Sequence, residues 1–143
     1  MKVTGVLETC LYVNDLGSAE RFYRQVLGLD TYAKVAGRHV FFRCGEGMLL
    51  LFRPDATEAP RNKSISVITE LTGIPGHGAR GAGHAAFEMA REDLGRWREH
   101  LGRHGVAIES DYTWPNGGRS LYFRDPSGNS LELVTPDTWE LRR

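Results

Sequence analysis

The feature that most constrains the fold of this chain is an internal duplication. Residues 37–55 read GRHVFFRCGEGMLLLFRPD, and residues 118–137 read GRSLYFRDPSGNSLELVTPD. Each copy opens on Gly-Arg, carries Phe-Arg, turns at a glycine and closes on an L-x-L pattern before Pro-Asp. Two copies are too few for a solenoid, so the repeat predicts a pair of similar modules within one domain.

Each half of the chain has the residue pattern of a βαβββ unit. In the first half, a helix with apolar residues at helical spacing follows a β-rich run, with Asn14 or Asp15 as N-cap and Gly28 at its C-terminal end. The predicted strands of the first half are 6–13, 30–35, 38–44 and 47–53. The second half predicts a helix over 91–105 and strands at 83–90, 106–110, 119–124 and 129–134.

The chain is therefore divided into four parts: module 1 (about 5–53), a linker (54–82), module 2 (about 83–135) and a C-terminal tail (136–143). The linker is rich in Pro, Gly and Ser, and ISVITEL within it is either an extra strand or a docking segment. GHGARG fits the pattern G-x-G-x-x-G, but a predicted strand follows it where a dinucleotide site needs a helix, so we interpret it as a hinge or lid.

Composition excludes several classes of function. Lys plus Arg and Asp plus Glu both number 18, so the net charge is zero and a nucleic-acid or membrane-surface binder is not expected. Cys10 and Cys44 form no C-x-x-C motif, which suits a reducing compartment. The N-terminal residues lack the apolar core of a signal peptide, and no apolar run reaches ~18 residues. We expect a cytoplasmic protein.

Three polar residues on predicted strands are candidates for a metal site: Glu8, His84 and Glu132. Both glutamates have apolar neighbours, and a carboxylate in a buried strand is costly unless it is paired or coordinated. Two carboxylates and an imidazole around one divalent ion would relieve their mutual repulsion. The alternative from the residues alone is structural, with Glu8 in a salt bridge, His84 as a satisfied core histidine and Glu132 capping a backbone group.

Two motifs resemble those of the vicinal oxygen chelate superfamily, which includes glyoxalase I, extradiol dioxygenases and the fosfomycin- and bleomycin-resistance proteins. They are V-x-D-L-x-x-A-x-x-F-Y-x-x-V-L-G-L from residue 13 and D-P-x-G-N-x-L-E-L from residue 125. The resemblance implies an α+β fold, with two tandem βαβββ modules forming a cupped, largely antiparallel mixed sheet around a cavity. It also implies four ligand positions, which in this chain are Glu8, Leu50, His84 and Glu132.

The resemblance implies a metal-dependent enzyme that acts on a small oxygen-bearing molecule by bidentate chelation and oxyanion stabilisation. The reaction would be that of a lyase, isomerase, dioxygenase or transferase. The ligand types favour Mn²⁺, Fe²⁺ or Zn²⁺, with Mg²⁺ possible. Glu8 or Glu132 would serve as general base, and Arg119 would clamp an anionic substrate. A homodimer is expected by the same resemblance.

Two rival functions remain open from the sequence. Leu50 and the aromatic residues favour a metal-free protein that sequesters a small molecule, of the bleomycin-resistance type. A domain whose site has decayed is the third interpretation. Among other residues, we expect Trp114 or Trp139 to wall a pocket or lie in a dimer interface, and Tyr122 to be a proton donor if it faces the cavity. Cys10 is interpreted as a small buried side chain.

Overall fold

The computed structural model describes residues 1–58 and 74–139. Module 1 contains β1 (Glu8–Tyr12), α1 (Leu16–Gln25), β2 (Asp30–Val35), β3 (His39–Cys44) and β4 (Gly47–Phe52). Module 2 contains β5 (His84–Glu88), α2 (Leu94–Arg103), β6 (Ser110–Thr113), β7 (Arg119–Arg124) and β8 (Ser130–Val134). Short 3-10 turns occupy Pro54–Ala56, Arg91–Asp93 and Pro136–Trp139. ISVITEL lies outside the described residues.

The two modules have the same sheet topology, which confirms the α+β fold and the tandem βαβββ order. The strand orders are β1-β4-β3-β2 and β5-β8-β7-β6. In each sheet the first and last strands pair in parallel and the other pairs are antiparallel. Cys10 pairs with Leu50 in module 1, and Ala86 pairs with Glu132 in module 2. Leu50 and Glu132 are therefore equivalent positions, as the duplicated sequence predicts.

Each sheet has one face covered by helices and one face that points away from them, which we call the site face. Strand alternation sends successive side chains to opposite faces. The helix-covered faces and the helices supply the core, which includes Phe42, Leu51, Leu121 and Phe123. The site face of each module is left to carry the residues that alternate with this core.

The ends of α1 follow from local chemistry. Asp15 is the N-cap, and its side chain accepts a hydrogen bond from the Ser18 N–H at 2.5 Å. Gly28 follows the helix with a φ of 68°, a left-handed conformation that glycine adopts without steric cost. Neither described helix has the length and apolar character needed to cross a bilayer.

The D-P-S-G-N turn, which sequence analysis interprets only as a turn, also joins the modules. Asn129 is buried, and its amide donates to the carbonyl of Tyr12 in module 1 and to Asp125 Oδ2. Its side-chain oxygen accepts the Gly83 N–H at 2.8 Å. Asp125 in turn accepts the hydroxyl of Tyr23 from α1 at 3.0 Å. One buried polar cluster thus fixes the two modules together.

One predicted strand is wrong. Residues 106–109 form no strand, and β6 begins only at Ser110. Val106 and Ile108 pack against the core, which explains their alternating apolar pattern. The pattern reports burial of an extended segment, whereas regular ladder pairing with β7 starts where Ser110 lies opposite Tyr122.

Candidate functional site

His84 and Glu132 lie together on the site face of module 2. His84 begins β5, and Glu132 lies in the middle of β8, the strand that pairs with it. Their side chains approach to 3.4 Å between Nε2 and Oε2. The Glu132 side chain is only 9% exposed, whereas that of His84 is 53% exposed. The Glu132 carboxylate is therefore buried against the sheet, and the His84 imidazole lies between it and the solvent.

The second ring nitrogen of His84 determines what the pair can do. Nδ1 lies 3.0 Å from the carbonyl oxygen of Ser130, which can only accept a hydrogen bond. Nδ1 therefore carries a proton, and in the neutral ring Nε2 presents a lone pair to a carboxylate oxygen. A cation placed between these two atoms, either a proton or a metal ion, would be attracted by both. A histidine held by a backbone carbonyl in this way is the usual arrangement of a metal ligand.

Glu132 is held by its neighbours on β7. Ser120 Oγ donates to Glu132 Oε1 at 2.5 Å, and the indole Nε1 of Trp114 donates to Ser120 Oγ at 2.8 Å. Tyr122 lies directly opposite Glu132 in the β7–β8 register. Burial, together with the hydrogen bond to Glu132 and its charge, raises the pKa of Tyr122. Tyr122 therefore stays protonated at neutral pH, and its hydroxyl faces the site as sequence analysis allowed.

Glu8 is placed differently from the expectation. It is exposed rather than buried, because it starts β1 at the edge of the sheet. It lines a cleft of about 420 Å³ between β1 and β5, and His84 and Ala86 line the same cleft. Within the described residues, no three His, Cys, Asp or Glu side chains are close enough together to hold one metal ion. The structure thus brings together two of the three predicted ligands, His84 and Glu132, and places the third, Glu8, on a cleft that His84 also lines.

Arg119 is not brought to the His84–Glu132 pair. It alternates with Ser120 on β7, so its side chain leaves the opposite face of the sheet. There it donates to Asp111 at 2.5 Å, and Arg98 of α2 donates to the same carboxylate at 2.6 Å. Partial burial alone would raise the pKa of Asp111, but the hydrogen bonds from the two arginines lower it. This contact ties β6 and β7 to the helix.

The site face of module 1 carries aromatic and apolar side chains. Leu50 is 7% exposed, and Phe41 lies opposite it in the β3–β4 register. His39 is buried and stacks on Phe41 with ring centroids 4.1 Å apart. His77 from the linker contacts the edge of Phe52 and shares a hydrogen bond of 2.6 Å with the Tyr12 hydroxyl.

The structure also places Cys10 and two of the tryptophans. Cys10 is exposed rather than buried, and its pKa is raised, first by partial desolvation and then by the charge of Glu8. Trp114 points into module 2 through its bond to Ser120, whereas Trp139 is 68% exposed.

Ser120 was missed by sequence analysis. The signal was present, because Ser120 lies two residues from Tyr122 on one strand and therefore shares its face.

Comparison with known proteins establishes the family. The family model of the Glyoxalase/Bleomycin resistance protein/Dioxygenase superfamily matches residues 5–133. The chain therefore belongs to this superfamily, and the resemblance stated from the two motifs is confirmed.

The similar proteins include named enzymes. The chain is 28% identical over 137 residues to the metallothiol transferase FosB of Staphylococcus epidermidis, covering 94% of this chain and 84% of that protein. It is 29% identical over 127 residues to the glutathione transferase FosA of Serratia marcescens, covering 86% and 74%. A crystal structure described as lactoylglutathione lyase from Agrobacterium tumefaciens has 37% identity and a TM-score of 0.89, covering 99% of this chain and 100% of that one.

Proposed function

We propose that this protein is a metal-dependent enzyme that acts on a small molecule through two of its oxygen atoms. The observation that carries the proposal is the His84–Glu132 pair, in which Nε2 lies 3.4 Å from a carboxylate oxygen while Nδ1 lies 3.0 Å from a backbone carbonyl oxygen. The similar proteins support the general class, since their names denote two transferases and a lyase. The reaction itself is not specified by them.

The donor atoms fit a divalent ion. An imidazole nitrogen and a carboxylate oxygen suit Mn²⁺, Fe²⁺ or Zn²⁺, and a second carboxylate from Glu8 would complete a three-ligand set with positions open for substrate. Glu8 lines the same cleft as His84, which supports this assignment. Mg²⁺ fits less well because it prefers oxygen ligands throughout.

When bound, the ion would supply Lewis acidity at two substrate oxygens and so stabilise negative charge that develops on them. The protein's own groups would then manage protons and orientation. Glu132 is fixed by Ser120 and would serve as a ligand rather than as a base. Glu8 is exposed and so would be the more loosely held ligand, which could double as the general base. Tyr122 holds its proton and, by turning it from Glu132 towards a substrate oxygen, would donate a hydrogen bond there. Arg119 is not part of the proposed site, because its guanidinium pairs with Asp111 on the opposite face of the sheet.

Metal analysis of the purified protein tests the proposal. The wild type should retain about one divalent ion per chain after dialysis against a defined metal and removal of the excess. His84→Ala and Glu132→Ala should lose it, and Glu8→Ala should bind it more weakly. His104→Ala is the matched control, since this histidine lies on the exposed end of α2. Full retention of metal by His84→Ala would contradict the proposal.

The site face of module 1 supports a second candidate, a metal-free binding protein. Tyr12, His39, Phe41 and Phe52 provide stacked and edge-on ring surfaces that suit a planar ligand. This function predicts no stoichiometric metal and a ligand-induced change in fluorescence in the absence of metal. Ligand binding that occurs only in the presence of a metal ion would exclude this second function.

We also propose a homodimer, in which a second copy could supply Glu8. Val6 and Leu7, just before Glu8, are 85% and 75% exposed, which is unusual for large apolar side chains and suits an interface. Mixing Glu8→Ala and His84→Ala subunits distinguishes the arrangements. Recovery of metal binding after subunit exchange would show that one site uses both chains, and no recovery would assign each site to a single chain.

A further inference from the structure

We propose that Ser120 and Trp114 are positioning residues, which orient the Glu132 carboxylate so that one chosen oxygen is left for the metal. The inference rests on the metal-dependent function proposed above and assigns a role to two residues beyond the ligand set. It is drawn from a chain of two hydrogen bonds, a partly buried one from Trp114 to Ser120 and a buried one from Ser120 to Glu132.

The direction of this chain is fixed by chemistry. An indole Nε1–H is only a donor, so Ser120 Oγ must accept from it. The serine hydroxyl has a single proton, and the anionic Glu132 Oε1 at 2.5 Å is a stronger acceptor for it than the neighbouring Tyr122 hydroxyl. The hydroxyl proton is therefore committed to the carboxylate. Ser120 has no exposed surface, so water does not compete for this proton.

The chain determines which oxygen of Glu132 is available. Oε1 is occupied by the serine, and Oε2 is the atom that lies 3.4 Å from His84 Nε2. A rotation of the carboxylate would break the bond to Ser120 and leave a buried hydroxyl unsatisfied, which is costly. Ser120 therefore holds Glu132 as a one-oxygen ligand directed at the histidine.

Trp114 is itself held by a loop that the C-terminal turn anchors. Its N–H donates to the Gly118 carbonyl, and its carbonyl accepts from the Gly117 N–H, both at 2.8 Å. The Asn116 amide donates to the carbonyls of Asp137 and Thr138. The indole is therefore fixed from the backbone outward, as a positioning group must be.

Module 1 has no counterpart of this device. His39 occupies the place of Ser120, and Leu50 occupies the place of Glu132, because β3–β4 and β7–β8 share one register. The serine and the carboxylate thus occur together in module 2 and are replaced together in module 1. This joint occurrence is expected if the function of the serine is to orient the carboxylate.

A double-mutant cycle on metal affinity tests the inference. Ser120→Ala should weaken binding of Zn²⁺ or Mn²⁺ by roughly 10–100-fold, the range for outer partners of metal ligands. Trp114→Phe, which keeps the ring and removes the donor, should weaken it less. If Trp114 acts through Ser120, the double variant should bind no more weakly than Ser120→Ala alone. Calorimetric titration gives the affinities, and Trp139→Phe is the control.

A second readout is independent of metal. Emission of Trp114, measured with Trp97 and Trp139 replaced by Phe, should shift when Ser120→Ala removes the acceptor of the indole N–H. Unchanged metal affinity in Ser120→Ala, with binding still lost in His84→Ala, would overturn the positioning role and leave the proposed function intact. Additive losses in the double variant would also overturn it. A wild type that binds no metal would overturn both.

Discussion

In module 1, position 50 on β4 is a leucine that lies opposite Phe41; in module 2, the equivalent position on β8 is Glu132, which lies opposite Tyr122. The backbone register is the same in both. The duplicated backbone therefore determines the direction in which the side chain at this position points. The type of residue at the position determines the chemistry that the side chain can perform. One copy presents an acid held by a serine, and the other presents an apolar wall.

The surroundings have changed along with the residue. Glu132 is buried but has polar partners in Ser120 and His84. Leu50 is equally buried and has ring and aliphatic neighbours. A carboxylate is therefore tolerated in module 2 and should be costly in module 1.

The largest effect should come from Leu50→Glu, which copies module 2 into module 1. A carboxylate without partners at this buried position should lower the free energy of unfolding by about 3–5 kcal/mol. Urea denaturation at several pH values measures this, and the loss should shrink at acidic pH, where the new carboxyl is protonated. Leu50→Gln should cost about 1–3 kcal/mol without that pH dependence. A Leu50→Glu variant as stable as the wild type would show that the site face of module 1 tolerates a carboxylate as well as that of module 2 does.

Glu132→Leu makes the reverse change, from module 2 to module 1. We expect metal affinity to fall by more than about 100-fold, beyond the range for loss of an outer partner. Stability without metal should change by less than about 2 kcal/mol, because an apolar residue of similar size can replace a buried charge. Calorimetry with metal and urea denaturation without it give the two values. Retained metal would remove Glu132 from the ligand set.

A smaller effect on the free energy of unfolding should distinguish the turn before β8 from the turn before β4. Asn129 precedes β8, and Gly47 holds the equivalent place at the start of β4. Asn129→Ala leaves the Gly83 N–H and the Tyr12 carbonyl without their partner, so it should cost about 2–3 kcal/mol. Asn116→Ala, an exposed amide, is the control and should cost less than about 1 kcal/mol. Equal losses would refute the role of Asn129 as the junction.

The smallest predicted effect concerns the helices. Tyr23 in α1 corresponds to Leu101 in α2, and its hydroxyl donates to Asp125. Tyr23→Phe should cost about 1 kcal/mol at neutral pH. Burial, and then the charge of Asp125, raises the pKa of Tyr23. The unfolded chain therefore releases this proton above pH of about 10 while the folded chain keeps it, and stability falls as pH rises. Tyr23→Phe should show a shallower fall in alkaline denaturation.

Much of the fold follows from the sequence because the relevant signals are local. The Asp15 cap, Gly28 and the alternation of β4 and β8 are read from neighbouring residues, and each is confirmed. The strand predicted at 106–110 is wrong because alternating apolar residues indicate burial on one face and do not show which backbone groups pair.

The candidate site was less predictable because it depends on contacts between strands. His84 and Glu132 meet only through the β5–β8 register, which no single stretch of sequence contains. The exposure of Glu8 and Cys10 arises because β1 lies at the edge of its sheet. Ser120 was missed because its importance comes from Glu132, which lies diagonally across from it on β8, and the pairing of Trp114 with Ser120 requires the loop conformation.

The most direct test is a crystal structure of the protein grown with Mn²⁺ or Zn²⁺, with the metal located by its anomalous scattering. We expect a single strong peak about 2.0–2.2 Å from both His84 Nε2 and Glu132 Oε2, with Ser120 still bonded to Oε1. A peak at other residues, or a His84–Glu132 pair that remains in direct contact with no metal bound, would contradict it.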